Sequence, residues 1–259
     1  MDFRTLQYRV DNRLATLTLN RPEKQNALDD SAIRDLSAAF ASASKDPSVK
    51  VVILRGAGPV FCAGRDPELL KKLLQGSLED QQADAQRLAG LFRTIHELRK
   101  PVLAVVEGQA VSEGVGVAAA CDIVIAAEEA QFGLPDVRSG AIPAISLVFI
   151  AKRVGEARAR ELALRGQPLG ATDAFTIGLV NVVVPRAQID ATLARLTSSL
   201  VSDNSGNAMA LCKELLSRVM GMNLADALDF ATNMHAASRM TAECRKGMTA
   251  TLNGETPEW

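Results

Sequence analysis

The chain has 259 residues and a net charge of −1, with its 29 Lys and Arg residues scattered along the sequence. This length suffices for a large domain whose core needs no disulfide or metal to hold it together. Scattered cations form no basic stripe, which argues against a nucleic-acid partner. No stretch approaches the ~18 apolar residues of a membrane span, and the N-terminus shows no apolar signal segment. We therefore expect a soluble, cytoplasmic protein that binds neither nucleic acid nor membrane.

The four cysteines are predicted to be reduced packing residues. They show no CxxC spacing, and only two histidines occur in the whole chain. The cysteines are Cys62, Cys121, Cys212 and Cys244. We expect no disulfide and no metal site.

The first hundred residues read as alternating strands and helices. The patterns predict a strand at 14–19, a helix from about 29 to 43, a buried strand at 51–54, a turn at 61–66 and a helix at 67–75. Residues 76–99 are predicted to begin as a mobile connection and to continue as a long amphipathic helix. Strand, turn and helix then recur from Pro101 onward.

The stretch 106–143 is the centre of the prediction. Neither Lys nor Arg occurs between Val102 and Gln131, so a strand, a short helix and a second strand are expected inside the core. The helix begins at a glycine-punctuated turn, 112–116. The N-terminus of a helix has free N–H groups and a partial positive charge, which stabilise an oxygen that becomes negative during a reaction. A second tight turn, FCAGRD at 61–66, is predicted to supply another backbone donor and so complete an oxyanion hole.

After Pro143 the sequence turns mainly helical. Helices are predicted at 145–153, 156–165 and 171–176, a short strand at 182–184, and three more helices after Ala187. No linker rich in Pro, Gly or Ser separates this part from the rest. It is predicted to form a helical layer on the same domain.

Six ordered motifs resemble the crotonase superfamily, the enoyl-CoA hydratase and isomerase group. They are LNRP (19–22), NAL (26–28), FCAGRD (61–66), the block 100–127, AQFGLPDVRSGAIPA (130–144) and GLVN (178–181). The resemblance implies an α/β spiral of ββα units, with an acyl-CoA-binding core at 1–195 and a C-terminal helical layer at 196–259 that forms trimers or dimers of trimers. The residues alone also allow a doubly wound α/β sheet.

The resemblance also implies a set of site residues. Family hydratases use two glutamates, whose positions here hold Gly116 and Asp136. The first acid is thus absent, and the second is one methylene shorter. Asp136 is expected to move a proton or direct a water, while the N–H groups of Ala63 and Glu113, with Gly114 at the helix start, would hold the thioester oxygen.

No metal or redox cofactor is expected, because coenzyme A enters as the thioester of the substrate. The residues expected to contact it are Arg21, Lys24, Ala27, Ala63, Gly64, Arg65 and Asp66. Asp66 is equally an N-cap candidate, and Asp122 is interpreted as a structural carboxylate. The side chain of Glu113 could face the thioester and oppose its charge, turn to solvent, or replace the missing acid.

Three functions remain open at this point. The first is hydration of a 2-enoyl-CoA or a shift of its double bond, and single-acid chemistry leans towards isomerisation. The second is a non-catalytic acyl-CoA-binding protein, and the third is an acyl-CoA hydrolase with Asp136 as nucleophile. Gly116 and the Pro143-Ala144 pair also resemble a methylglutaconyl-CoA hydratase-like branch. The sequence does not name the acyl group.

Overall fold

A computed structural model of the protein describes residues 3–259. The strands are β1 (Leu6–Asp11), β2 (Leu14–Leu19), β3 (Val51–Gly56), β4 (Val60–Cys62), β5 (Val102–Val106), β6 (Gln109–Val111), β7 (Ile123–Ala127), β8 (Gln131–Gly133), β9 (Leu169–Gly170) and β10 (Val182–Val184). The helices are α1 (Asp30–Lys45), α2 (Pro67–Leu73), α3 (Leu78–Glu97), α4 (Glu113–Ala120), α5 (Ala144–Arg165), α6 (Ala171–Thr176), α7 (Ile189–Ser202), α8 (Gly206–Val219), α9 (Leu224–Arg239) and α10 (Ala242–Leu252). No helix among these residues is both long and apolar enough to cross a membrane.

The larger sheet has six strands in the order β1-β2-β3-β5-β7-β10. Only β1 and β2 pair antiparallel; every other neighbouring pair is parallel. The β1–β2 turn is two residues long, and both Asn12 and Arg13 have positive φ, 49° and 65°. This conformation matches the twist of a tight hairpin.

Both faces of the central strands are buried, because side chains alternate between two cores. Val52 and Leu54 of β3 belong to the main core. The same core contains the buried apolar side chains of α1, α3 and α4. Val51 and Ile53 point the other way and pack with Leu193 of α7. This two-sided burial explains the unbroken apolar runs of these strands.

The smaller sheet, β4-β6-β8-β9, positions the candidate site. Strands β4, β6 and β8 are parallel neighbours. Their carboxyl ends therefore meet at one edge, where ligands characteristically bind in parallel sheets. The turns that follow these three strands are the ones that the sequence motifs single out.

Two predictions in the helical regions are wrong. Ser77 caps α3 with reciprocal hydrogen bonds to Asp80, so the helix begins at Leu78 with no mobile connection before it. A fourth helix, α10, follows the three predicted after Ala187. Its sequence contains Gly247 and few large apolar residues, and none of its side chains is buried, so it lacks the apolar face that revealed the others.

The helices predicted at 145–153 and 156–165 are confirmed as the two parts of α5, which Gly155 interrupts with φ 77° and ψ 162°.

The predicted domain boundary at 195/196 would cut through α7. Ile189 and Leu193 of this helix pack on the large sheet together with Leu196 and Leu200 beyond the boundary. The helical layer therefore begins at α8.

Candidate active site

Three turns converge at the carboxyl edge of the small sheet. Ala63 to Asp66 follow β4, Ser112 follows β6, and Asp136 lies in a short 3-10 turn after β8. The contact between the first two turns is close: a Cβ on Gly114 would lie 2.2 Å from the carbonyl oxygen of Cys62. Only glycine permits that approach, so Gly114 allows the start of α4 to sit directly against the FCAGRD turn.

Ser112 links this turn to Asp136. Its Oγ donates a 2.6 Å hydrogen bond to Asp136 Oδ1. Ser112 stands at the N-cap position of α4, as predicted, but its side chain makes no capping hydrogen bond. Its backbone has φ 50° and ψ −112°, a conformation that favours glycine and costs a serine about 1–3 kcal/mol. Ser112 thus has a strained backbone, and its hydroxyl donates a hydrogen bond to the Asp136 carboxylate instead of capping the helix.

Two carboxylate oxygens are buried here without a hydrogen-bond partner, Glu113 Oε2 and Asp136 Oδ2. Buried polar atoms are ordinarily paired, so two orphans in one place need an explanation. The side chain of Glu113 faces inward rather than to solvent: a Cβ on Gly64 would lie 3.0 Å from its Oε2. Of the orientations considered for Glu113, the structure shows the one directed into the site.

The pKa of the Glu113 carboxyl is raised, chiefly because burial disfavours its charged form. The nearby Asp136 charge acts in the same direction. The backbone N–H of Glu113 itself, the Ser112 hydroxyl and the Arg65 charge lower this pKa, but their combined effect is smaller than that of burial. Glu113 therefore holds its proton to higher pH than an exposed glutamate does.

The predicted pair of backbone donors needs one correction. The N–H of Ala63 donates to the carbonyl oxygen of Gln25, at 3.1 Å, and is therefore already occupied. Leu28 pairs with the same turn: its N–H donates to Gly64 and its carbonyl accepts from Asp66. In a parallel bridge of this kind, the N–H of the intervening residue, Arg65, points to the opposite side.

Among residues 3–259, the N–H of Arg65 has no hydrogen-bond acceptor. The N–H of Glu113 has no acceptor on another residue, and it hydrogen-bonds only the carboxylate of its own side chain. Both N–H groups lie on the two turns that meet at Gly64 and Gly114. Glu113 is the first residue of α4, where a free N–H is expected. The available backbone donors are therefore those of Arg65 and Glu113.

The position of the absent first acid, Gly116, is filled by other side chains. A Cβ there would lie 2.4 Å from Ser146 Oγ and 2.6 Å from the Phe92 ring. Such distances exclude any larger residue unless α3 or α5 moves. Ser146 Oγ is itself buried without a partner. The structure thus closes the place where a glutamate side chain would start.

Several residues predicted to bind coenzyme A are engaged within the protein instead. Arg21 pairs with Asp66 at 2.9 Å and Asp29 at 3.0 Å, and it also donates to the carbonyl of Ala27. Asp66 caps α2, and its side chain is only 2% exposed. Burial alone would raise the pKa of Asp66, but hydrogen bonds from Glu68 and Arg21 and the charges of Lys24 and Arg21 outweigh it and lower the pKa.

Arg65 pairs with Asp84, and both side chains are largely buried. Lys24 is the exception among the predicted cations, since its side chain is 44% exposed and lies 3.6 Å from Asp66. The sequence reasoning missed Asp84. A signal existed: Asp84 precedes Leu88, Leu91 and Ile95 at helical spacing, which places it on the buried face of α3.

Two further predictions concern structural side chains. Asp122 accepts from the Val102 N–H at 2.7 Å and pairs with Lys213, which confirms its structural interpretation. Burial raises the pKa of the Cys62 thiol to about 12. Cys62 therefore remains protonated at neutral pH and is no nucleophile, although it adjoins the site. No group of three or more His, Cys, Asp or Glu side chains among residues 3–259 could hold a metal ion.

The family model described as enoyl-CoA hydratase/isomerase matches residues 9–259. The chain belongs to the enoyl-CoA hydratase/isomerase family. A short-chain-enoyl-CoA hydratase of Clostridium acetobutylicum is 31% identical over 254 residues, covering 96% of this chain and 95% of that protein. The predicted superfamily is thus confirmed, and with it the prediction of an enzyme of the hydratase/isomerase class.

Solved structures agree with the observed fold. An enoyl-CoA hydratase from Shewanella pealeana superimposes with a TM-score of 0.94 at 27% identity, covering 99% of this chain and 96% of that one. One from Mycobacterium smegmatis gives 0.93 at 31% identity, covering 98% of both chains. The predicted crotonase-like α/β fold is confirmed.

Proposed function

We propose that this enzyme binds an acyl-CoA thioester and either hydrates a 2-enoyl-CoA or shifts its double bond, with Asp136 as a catalytic carboxylate. One observation carries the proposal: two backbone N–H groups that donate to no other residue and two unpaired, buried carboxylate oxygens converge at the carboxyl edge of the small sheet. The donors suit a thioester oxygen that gains negative charge, and the carboxylates suit the movement of protons nearby.

The thioester carbonyl would lie between the N–H groups of Arg65 and Glu113. Removing one such donor from an enzyme typically costs about 10²–10³-fold in rate, so the pair would supply a substantial share of the catalysis. Asp136 is held by the Ser112 hydroxyl through one oxygen, which leaves its other oxygen for substrate or water. Both reactions under consideration use this arrangement.

Coenzyme A itself would be held chiefly by Lys24 and the backbone of the turn at Gly64. Lys24 is the exposed cation beside that turn, and an ammonium is a suitable partner for phosphate. Arg21, Arg65 and Asp66 would support the turn from within rather than contact the ligand. Ala27 supports it as well, since it is buried and its carbonyl accepts from Arg21.

The test measures the enone absorbance of a panel of 2-enoyl-CoA and 3-enoyl-CoA thioesters with wild type and Asp136→Asn. We expect turnover of one class by the wild type and a loss of about 10²–10⁴-fold in the variant, the range for removing a general acid or base. Binding of the thioesters with no change in absorbance would instead favour the acyl-CoA-binding protein. Trapping of an acyl anhydride on Asp136, formed as the carboxylate displaces the thiolate of coenzyme A, would favour the hydrolase.

We also infer assembly into homotrimers or dimers of trimers in the cytoplasm. The support is the C-terminal layer, where several large apolar side chains are exposed: Leu216, Met220, Leu224, Leu228 and Met240. Exposed apolar surface of this extent is typical of a protein interface. Light scattering coupled to size-exclusion chromatography should give three or six chain masses, and a monomer mass would contradict the inference.

A further inference from the structure

The closed position at Gly116 raises the question of which group assists Asp136. Addition of water to a double bond needs one group to take a proton from water and one to give a proton to the α-carbon. Position 116 cannot hold the second group, because Phe92 and Ser146 already occupy the space beside it. If the enzyme hydrates with two groups, the second one lies elsewhere on the site wall.

Glu113 lies three residues before Gly116 on the same helix. Residues three apart are neighbours on one face of an α-helix. The Glu113 side chain therefore projects from the same face as position 116, one helical turn nearer the FCAGRD segment. Its Oε2 is buried, has no hydrogen-bond partner among residues 3–259, and lies against Gly64 of the FCAGRD turn. A glutamate with only a structural role would be expected to have that oxygen paired.

We propose that the Glu113 carboxyl is the second acid–base group of this site, replacing from one turn earlier the carboxylate that position 116 cannot hold, and that the enzyme is consequently a 2-enoyl-CoA hydratase. This inference rests on the proposed function. It identifies the second acid–base group. It also favours hydration, because a double-bond shift needs only one such group.

The proton balance assigns the two roles. Asp136, which accepts a hydrogen bond from Ser112, takes a proton from water as the water oxygen bonds to the β-carbon. The double-bond electrons pass towards the thioester oxygen, and Glu113 gives its proton to the α-carbon as the enolate collapses. Asp136 is then protonated and Glu113 ionised, and one proton passed between them through Ser112 or solvent restores the start.

The surroundings of Glu113 suit an acid. The charged or titratable groups that face it are Asp136, Arg65 and the thiol of Cys62. Burial, with the Asp136 charge, raises the pKa of Glu113 against the hydrogen bonds from its own backbone and from Ser112 and the charge of Arg65. A neutral Glu113 also leaves the oxyanion beside it unopposed, whereas an ionised one would repel it.

The experiment compares wild type, Glu113→Gln, Asp136→Asn and the control Glu128→Gln, which replaces an exposed glutamate directly after β7. Two rates are measured: hydration of crotonyl-CoA, and exchange of the α-protons of butyryl-CoA for deuterium in D₂O by NMR. Circular dichroism and the Kd for butyryl-CoA verify folding and binding.

We expect Glu113→Gln to lose about 10²-fold or more in both rates while its Kd changes less than threefold. Asp136→Asn should lose hydration but keep exchange within tenfold, and Glu128→Gln should match the wild type. A Glu113→Gln variant that hydrates or exchanges within threefold of the wild type overturns this inference and leaves the proposed function standing. A wild type that performs neither reaction overturns this inference, and one that also leaves the whole panel of 2-enoyl-CoA and 3-enoyl-CoA thioesters unchanged overturns the proposed function as well.

Discussion

Two carboxylates flank the short helix α4 and differ in almost every respect. At its N-terminal end, Glu113 has a buried, unpaired oxygen and a raised pKa. Just beyond its C-terminal end, Asp122 accepts from the backbone of β5 and pairs with Lys213 of the helical layer. A carboxylate with its full set of partners holds elements together, whereas an unpaired buried one is held ready for a ligand.

The sharpest test of this comparison is the removal of the paired carboxylate. Asp122→Ala should lower the free energy of unfolding by about 3 kcal/mol, because it leaves the Val102 N–H without an acceptor and the Lys213 ammonium without its carboxylate, with only the Lys100 carbonyl as a partner. Urea denaturation measures this loss. The control Asp190→Ala removes an 83%-exposed partner of Arg55 and should cost less than about 1 kcal/mol. Equal losses of unfolding free energy for the two substitutions would mean that the contacts of Asp122 do not stabilise the fold.

A methyl group on the helix face between the two carboxylates should have the next largest effect. Gly116→Ala places a Cβ against Ser146 and Phe92, and we expect it to lower the free energy of unfolding by about 1–2 kcal/mol. Gly90→Ala in α3 is the matched control, since a Cβ there meets no atom within 4 Å and alanine favours the helix. A Gly116→Ala protein as stable as the control would contradict the closed position.

The smallest effect concerns the unpaired carboxylate. A raised pKa means that folded Glu113 holds its proton more tightly than the unfolded chain does, so its contribution to stability is lost as pH rises through the folded pKa. Glu113→Gln should therefore equal the wild type near pH 4 and exceed it by about 1 kcal/mol at pH 8. Urea titrations at both pH values measure the difference, and Glu128→Gln should show none. A difference independent of pH would disprove the buried titration.

Elements with a strong pattern could be predicted from the sequence. Strand β2, the buried strand β3 and helix α1 match their predicted ranges to within about two residues, because alternation and the Asp29 cap identify them. The two glycine turns could also be predicted, along with Asp136 from its family position. Strands β4, β6 and β8 have three residues each, too few to show a period, and β1 was missed because Asn12-Arg13 is no usual hairpin turn.

The finer features of the site depend on neighbours distant in sequence. Whether Ala63 or Arg65 offers its N–H is decided by the strand-like pairing of residues 25–28 with the FCAGRD turn. The space at Gly116 is decided by Phe92 and Ser146, on two other helices. No local pattern records such contacts, so the sequence identified the turns but not which of their atoms are free.

The order of the large sheet has a consequence for how the chain assembles during synthesis. Its strands lie side by side in the order in which they are made, β1-β2-β3-β5-β7-β10, and each is added at the open edge beyond the last. No strand has to be inserted between two that have already paired. The sheet can therefore grow in step with translation, and its final edge forms only when residues 182–184 have left the ribosome, before the C-terminal helices are complete.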